Sequence, residues 1–534
     1  MSAVLIRNAR IYIERGRFES ALLAVDGIIR AVGSEEEVAA QAPAGTVVWD
    51  AAGRTVVPGF NDSHQHLLNT GIALTSIRLN EARSIEDVIR LSREFIEERH
   101  PAPGAVLYGM GWNQDYFEDD HRVLTRHDLD RISAEYPIIF DRACGHILTA
   151  NTRAIELAGV TTETVSPEGG QIDVENGELT GVFRKNARIL IRRLFAERSV
   201  EHKKELIRAA MAHALETGVT SVQTNDVRQA DWRSTWQAYC EVLDEKPNLR
   251  VYHQHNFMSP TDYQAYFDAG FRMGQGTPFN RMRPLKLFID GSLGARTAFM
   301  REPYQDDPTT CGIPTMTPEE IDAMVALAVR NGEGVVTHAI GDGAVERMLD
   351  AFDKVCSYGR NPLRHGIIHV QITDRPLVER FTKNDILALI QPIFLHYDTK
   401  IVEDRVGAEL AGTRYAFGTM KRLGIHMSFG TDSPVEDMAP LANLYCAVTR
   451  KNLKGEPAGG FHPEECVDIY DAVDAYAAES AYVSFEEKTK GRLLPGYVAD
   501  LTVIDRDIFS LPPEALLEAK IDATMVDGRF VYER

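Results

Sequence analysis

The chain has 534 residues, 44% of them hydrophobic and 25% charged, and its 58 Lys and Arg against 78 Asp and Glu give a formal net charge of −20. That profile fits a globular protein with one very large domain or two or three smaller ones. Its acidity argues against nucleic acid or an anionic membrane surface as partner, because both need a concentrated positive field.

The six Cys (Cys144, Cys240, Cys311, Cys356, Cys446 and Cys466) are scattered with no CxxC pair. This excludes a disulfide framework or a thiolate metal site and points to a reducing compartment, the cytoplasm being the expected one. The opening MSAVLIRNARIYIERG has no sustained apolar core of the kind a leader carries. Apolar runs elsewhere break within about ten residues, short of the ~20 that a spanning helix needs.

Residues 1–57 alternate apolar and polar positions with Gly and Asn punctuation (VLIRNARIYI, SALLAVDGIIRAVG, GTVVWDAAGRTVVPG), the pattern of short half-buried strands. The end of the chain, ADLTVIDRD and ATMVDGRFVYE after the break at LLPGYVAD, has the same character. One small β domain built from residues 1–57 and 490–534 is therefore expected, with two unrelated terminal extensions as the alternative. Between them, residues 58–489 repeat a unit of amphipathic helix, Gly-containing turn and short apolar strand, as in VEHKKELIRAAMAHALETGVTSVQT and PEEIDAMVALAVRNGEGVVTH. Repeated αβ units of this kind build a parallel sheet, open or closed. Neither GxxxxGK[ST] nor a strand-following GxGxxG occurs, so phosphate-cradling loops are not supported.

The sharpest local signal is His64-Gln65-His66, at the end of VVPGFNDSHQH. Residues two apart on a strand point to the same face, so both imidazoles can reach one cation. An isolated HxH is also compatible with two structural histidines, and its context is what raises its significance. Lys286 in RPLKLFIDGSLG, His338 in GVVTHAIGDG, His369 in HGIIHVQI and Asp432 in MSFGTDSPVED each sit at or near the polar end of an apolar strand. A (β/α)8 barrel uses roughly 30 residues per unit. His338 to His369 is 31 residues, His369 to Asp432 is 63, and Lys286 to His338 is 52. If His64 and His66 end strand 1, the six residues fall on strands 1, 4, 5, 6 and 8. The 220 residues from His66 to Lys286 exceed three units by roughly 100. An insertion at about 80–190 is expected, and at the C-terminal face of a barrel it would act as a lid or pocket wall.

PGFNDSHQH, LKLFIDGSLGARTA, THAIGDGAVE, HVQ, FGTDSPVE and KGRLLPGYVADLTVIDRD together resemble the amidohydrolase superfamily, most closely its YtcJ-like branch, which includes N-substituted formamide deformylases. The resemblance spans essentially the whole chain, with the motifs in the expected order. It implies an α/β fold: a (β/α)8 TIM barrel carrying a large insertion and a small β-sandwich formed from both termini. It also implies that His64 and His66 bind a first metal and that Lys286 is the strand 4 lysine often carboxylated to bridge two metals. His338 and His369 would bind the second metal, and Asp432 is the strand 8 aspartate. A homo-oligomer is a further expectation at the level of the family.

These residue types are chemically coherent for one or two divalent ions, zinc first, with manganese or iron as alternatives. Such an ion lowers the pKa of water toward ~7. Lys286 as an ammonium would repel the cations, and becomes a ligand only as an anionic carbamate. Asp432 is the candidate to accept a proton from the attacking water and return it to the leaving nitrogen.

Four further residues are candidates for binding substrate. His146, in DRACGHILTAN, would polarise a carbonyl or hold a carboxylate, or else be structural. Trp112, with Tyr116 and Phe117, would line a pocket or pack a core. Lys185, in TGVFRKNA, stands where relatives usually carry glutamate. It would neutralise an acidic substrate group, be carboxylated itself, mark an altered metal stoichiometry, or simply face solvent. His396, in LIQPIFLHYD, falls where strand 7 should end. The second HxH, His253 and His255 in RVYHQHNF, reads as pocket lining or a core pair.

The leading expectation is a metal-dependent hydrolase acting on a small molecule and cleaving a non-peptide C–N bond: an amide, formamide or cyclic amide. The alternatives are a deaminase, a non-hydrolytic enzyme on the same scaffold, or a binding protein that has lost its metals.

Overall fold

The computed structural model describes residues 2–118, 120–143, 146–195, 199–407 and 414–534. Eight parallel strands pair in sequence order: β1 (Phe60–Gln65), β2 (Val219–Thr224), β3 (Arg250–His255), β4 (Asn280–Phe288), β5 (Val335–Ala339), β6 (Gly366–His369), β7 (Leu387–Ile390) and β8 (Met427–Phe429). Nearly every residue in them is buried, as strands covered by helices on one side and filled with side chains on the other must be. Helices follow the strands, and their starts are written locally. Thr317 caps Pro318–Arg330 in a capping box with Glu320, and Pro318 occupies the first turn, where no amide hydrogen is needed. Ile321, Met324, Val325 and Ala328 then fall on one face and are buried, the three-and-four spacing of a helix laid on a sheet.

The barrel closes just past the ends of β8 and β1. Gly430 N continues the β7–β8 pairing by donating to Ile390 O at 3.0 Å, and across the β8–β1 seam Asp432 N donates to His64 O at 2.8 Å and His66 N to Ser433 O at 2.8 Å. The Thr431 hydroxyl donates to buried Asp62 Oδ2 at 2.5 Å. Gly430 is dictated by this approach: a Cβ there would lie 2.7 Å from His64 N and 2.9 Å from His64 O. The fold is thus the (β/α)8 barrel, with the six candidate residues distributed over strands 1, 4, 5, 6 and 8 as their spacing implied.

The two chain ends share a sheet. Thr55–Pro58 pairs antiparallel with Leu501–Ile504, Val56 facing Val503, within a six-stranded sheet that also holds Arg10–Glu14, Arg17–Glu19, Ile521–Val526 and Arg529–Glu533. A four-stranded sheet from Ala3–Arg7, Ala21–Val25, Ile28–Gly33 and Val47–Asp50 packs with it around Ile6, Ile11, Leu22, Ile29, Val56, Leu501, Val503 and Met525. Both sheets cluster with the barrel, giving one compact unit of residues 1–70 and 207–534.

The insertion is a second unit, Gly71–Leu206, which enters between β1 and β2. It has its own mixed six-stranded sheet, ordered Gly170–Glu175, Glu178–Lys185, Ile147–Ala150, Ile138–Arg142, Leu107–Trp112 and Ile77–Arg78, and two apolar cores. It is therefore wider than the 80–190 read from the sequence. Among the described residues no cysteine is disulfide-bonded and no helix is long and apolar enough to cross a membrane.

Gly430→Ala is expected to open the β8–β1 seam. Thermal or urea unfolding should show a loss of about 1–3 kcal/mol, together with weaker metal retention than in a control Gly→Ala at Gly33, where the backbone is not left-handed and a Cβ meets only ordinary contacts at 3.4 Å and beyond.

Candidate metal centre

The seam brings His64, His66 and Asp432 together: one ligand-type atom from each lies within 4.8 Å of the others. Asp432 Oδ1 is 3.4 Å from His64 Nε2 and 3.2 Å from His66 Nε2, and Lys286 Nζ is 3.3 Å from His64 Nε2. Ligands held about 2.0–2.1 Å from a tetrahedral ion stand roughly 3.3 Å apart, so this spacing fits a cation. Asp432 and His369 both adopt the left-handed backbone region, with φ of 56° and 78°. Non-glycine residues enter that region at a cost that clusters at functional sites.

The imidazole tautomers follow from their neighbours. Gln254 Nε2 donates to Ser63 O at 2.9 Å, which turns its carbonyl oxygen toward His64; His64 Nδ1 therefore donates to Gln254 Oε1 at 2.6 Å and Nε2 keeps its lone pair. The same device recurs at His369. Gln391 Nε2 donates to Leu389 O at 3.2 Å, and His369 Nδ1 donates to Gln391 Oε1 at 2.7 Å. His369 Nε2 is left buried with no partner. Burial holds both imidazoles well below their usual pKa, in the neutral form that binds metal. Fully buried Lys286 is pushed down to about 7, chiefly by desolvation, with its Nζ 4.8 Å above the Phe288 ring. An amine that loses its proton readily, two imidazole nitrogens, a carboxylate and an orphaned buried imidazole nitrogen form a donor set suited to a divalent ion.

His338 joins through its ring, 4.5 Å from that of His369. Its Nε2 points to Gly291 O at 2.9 Å and Asp290 Oδ1 at 3.3 Å, so Nδ1 is the nitrogen free to serve a cation. His396 lies beyond β7, in the short helix Leu395–Asp398, and accepts from Leu453 N at 3.2 Å. Phe394, two residues earlier, stacks on His369 at 5.7 Å and with Gln391 brings this stretch against the centre.

His146, Trp112 and Lys185 belong to the inserted unit. Trp112 is fully buried in one of its cores and exposes no surface to a ligand, because its strand lays it against Ile77, Leu107 and Phe140. Phe117 is buried in the same core and Tyr116 is exposed. Lys185 is exposed, has φ of 49°, and donates its amide to His146 O at 2.8 Å. Cys144 and Gly145, which precede His146, lie outside the described residues. His253 and His255 are a core pair: they face the helices outside the barrel, with His253 bonded to Asn280 Oδ1 at 2.7 Å and His255 3.0 Å from Glu333. Only Gln254 between them points inward.

Gln254, Gln391, Asp290 and Asn225, whose carbonyl lies 3.2 Å from His66 Nδ1, were not singled out by the sequence reading. Strand parity signals Gln254, since an HQH strand with both histidines outward must place its middle residue inward. Gln391, just past β7, carries no comparable pattern.

The barrel, with a His–His–Asp cluster at the C-terminal ends of its strands, defines a metal-dependent amidohydrolase. The chain belongs to the amidohydrolase family, whose sequence profile matches residues 47–532. The YtcJ protein of Bacillus subtilis (strain 168) is 31% identical over 534 residues, spanning 98% of this chain and 97% of its own. An N-substituted formamide deformylase of Arthrobacter pascens is 25% identical, with 99% and 98% covered. The crystal structure of an uncharacterised metal-dependent hydrolase from Pyrococcus horikoshii OT3 superposes with a TM-score of 0.81 at 29% identity, covering 96% of this chain and 99% of that one.

Replacing Gln254 by Leu removes the acceptor that holds His64 in its ligating tautomer. Competition with a coloured chelator should show zinc affinity falling about 10–100-fold, whereas Gln254→Glu, which keeps an acceptor oxygen, retains most of it.

Proposed function

We propose that the chain hydrolyses a non-peptide C–N bond of a small molecule: an amide, an N-substituted formamide or a cyclic amide. The observation that carries this is the convergence of His64 Nε2, His66 Nε2 and Asp432 Oδ1, their proton positions set by Gln254 and the barrel backbone. A divalent ion held there, zinc first and manganese or iron next, supplies Lewis-acid activation of water and of the carbonyl. Asp432 takes the proton of the attacking water and returns it to the departing nitrogen, because an amine leaves far more readily when protonated. The seam bonds that pin the Asp432 backbone to His64 hold that carboxylate beside both imidazoles during both transfers.

Asp432→Asn keeps the size of the side chain but cannot take the proton. With a panel of N-formyl, N-acyl and cyclic amides and the zinc- or manganese-loaded enzyme, kcat should fall by about a thousandfold or more while much of the metal stays bound. Wild-type turnover in that variant would remove Asp432 from the mechanism.

The same reading makes Lys286 a carbamate that bridges a second ion held by His338 and His369. In support, its amine is buried, has its pKa pushed down to about 7 so that much of it is uncharged near neutral pH, and lies 3.3 Å from His64 Nε2. Native mass spectrometry of metal-loaded, bicarbonate-equilibrated protein should show the added mass of one CO2, absent in Lys286→Ala, and short carboxylic acids should restore part of that variant's activity. An unmodified lysine in fully loaded, active enzyme would leave a single-ion centre.

A further inference from the structure

Arg228 follows β2 at the rim of the metal centre and is half-buried. Its backbone is fixed: it bridges to Asn256 beyond β3, Asn256 N donates to Val227 O at 2.9 Å, and Gln229 N donates to Asn256 O at 2.8 Å. Its guanidinium reaches inward, with Nε donating to Asn225 O at 3.0 Å and Nη2 lying 3.0 Å from His66 Nδ1. It is close enough to Lys286 for its charge to help depress that amine.

Two other partly buried arginines are neutralised by carboxylates, whereas the fully buried Arg414 and Arg450 bond backbone carbonyls. Arg301 pairs with Asp342 and Asp374, and Arg405 with Asp306. Arg228 forms no ion pair among the described residues. A guanidinium brought out of water without an anion is costly, and its fork of donors matches a carboxylate.

His66 Nδ1 faces two neighbours with opposite proton demands. Asn225 O only accepts, and Arg228 Nη2 only donates. For Nε2 to bind a cation, His66 must carry its proton on Nδ1, which then bonds Asn225 O. Arg228 Nη2 loses that acceptor in the same state and is left to find another.

We propose that Arg228 anchors a carboxylate of the substrate beside the bond being cleaved, so that the preferred substrates are amides or formamides of amino acids rather than of plain amines. This rests on the hydrolase reading above and narrows its substrate class.

N-formylphenylalanine and N-(2-phenylethyl)formamide differ only in that carboxylate. With zinc-loaded enzyme, Arg228→Met should lower the ratio of kcat/KM for the acid over the neutral amide by about tenfold or more, mostly through KM, and Arg228→Lys should recover part of it. An unchanged ratio would overturn the proposal. So would equal losses on both substrates with loss of the CO2 adduct on Lys286, which would make Arg228 the counter-ion of that carbamate. If the wild type cleaves neither compound, formamide hydrolysis fails as the activity and the anchor is tested by binding. Titration calorimetry of 3-phenylpropionate into the zinc-loaded protein should then show about tenfold weaker affinity in Arg228→Met, and equal affinity would overturn the anchor.

Discussion

Everything chemical in this molecule depends on the closure of the barrel between its first and last strands. Two backbone hydrogen bonds, Asp432 N to His64 O and His66 N to Ser433 O, join segments 368 residues apart in the chain. The Asp432 carboxylate is thereby held by the backbone of the histidine whose side chain it faces. The alignment needs no flexible arm, so little side-chain entropy is lost when the cluster forms. Gly430 permits the approach, and the positive φ of Asp432 turns its carboxylate inward once the strand has ended.

A second layer turns position into reactivity. Burial keeps the imidazoles neutral, but a neutral imidazole has two tautomers and only one presents Nε2. Gln254 and Gln391 choose that tautomer, and each is oriented in turn by a backbone carbonyl, Ser63 O and Leu389 O. Amide side chains suit this task because they accept without carrying charge. A carboxylate in either place would raise the histidine's pKa and favour the protonated form that cannot bind a metal.

The barrel was legible in the sequence because its repeat is local. Each αβ unit carries its own periodicity and turn, and one unit's length separates His338 from His369. The candidate metal residues were legible as a set because they end strands. The orienting residues were not: a glutamine two strands away announces itself only through pairing register, as Gln254 does beside β1. Trp112 shows the opposite failure, since an aromatic cluster in an insertion has the same appearance whether it lines a pocket or fills a core. The bounds of the insertion were read too narrowly because Gly71–Leu74 and Val200–Leu206 are helical and continue the barrel's periodicity into the second unit.

The charge balance of the centre differs in sign from that of the chain. At −20 the molecule as a whole repels anions, but that field is screened beyond about 8–10 Å at physiological salt. Within that distance, the groups at the rim decide what enters. Asp432 and Asp290 contribute one negative charge each, while a divalent ion held there would contribute two positive charges and Arg228 a third. A carbamate on Lys286 with a second ion would leave the surplus positive still. A centre of that sign attracts an anionic substrate only if something fixes where the anion rests, because a carboxylate free to choose would occupy the ion itself and block the water. A guanidinium tethered beside His66 by the Asn225 carbonyl and the Asn256 bridge offers that resting place away from the ion, and its fork geometry aligns the substrate rather than merely attracting it.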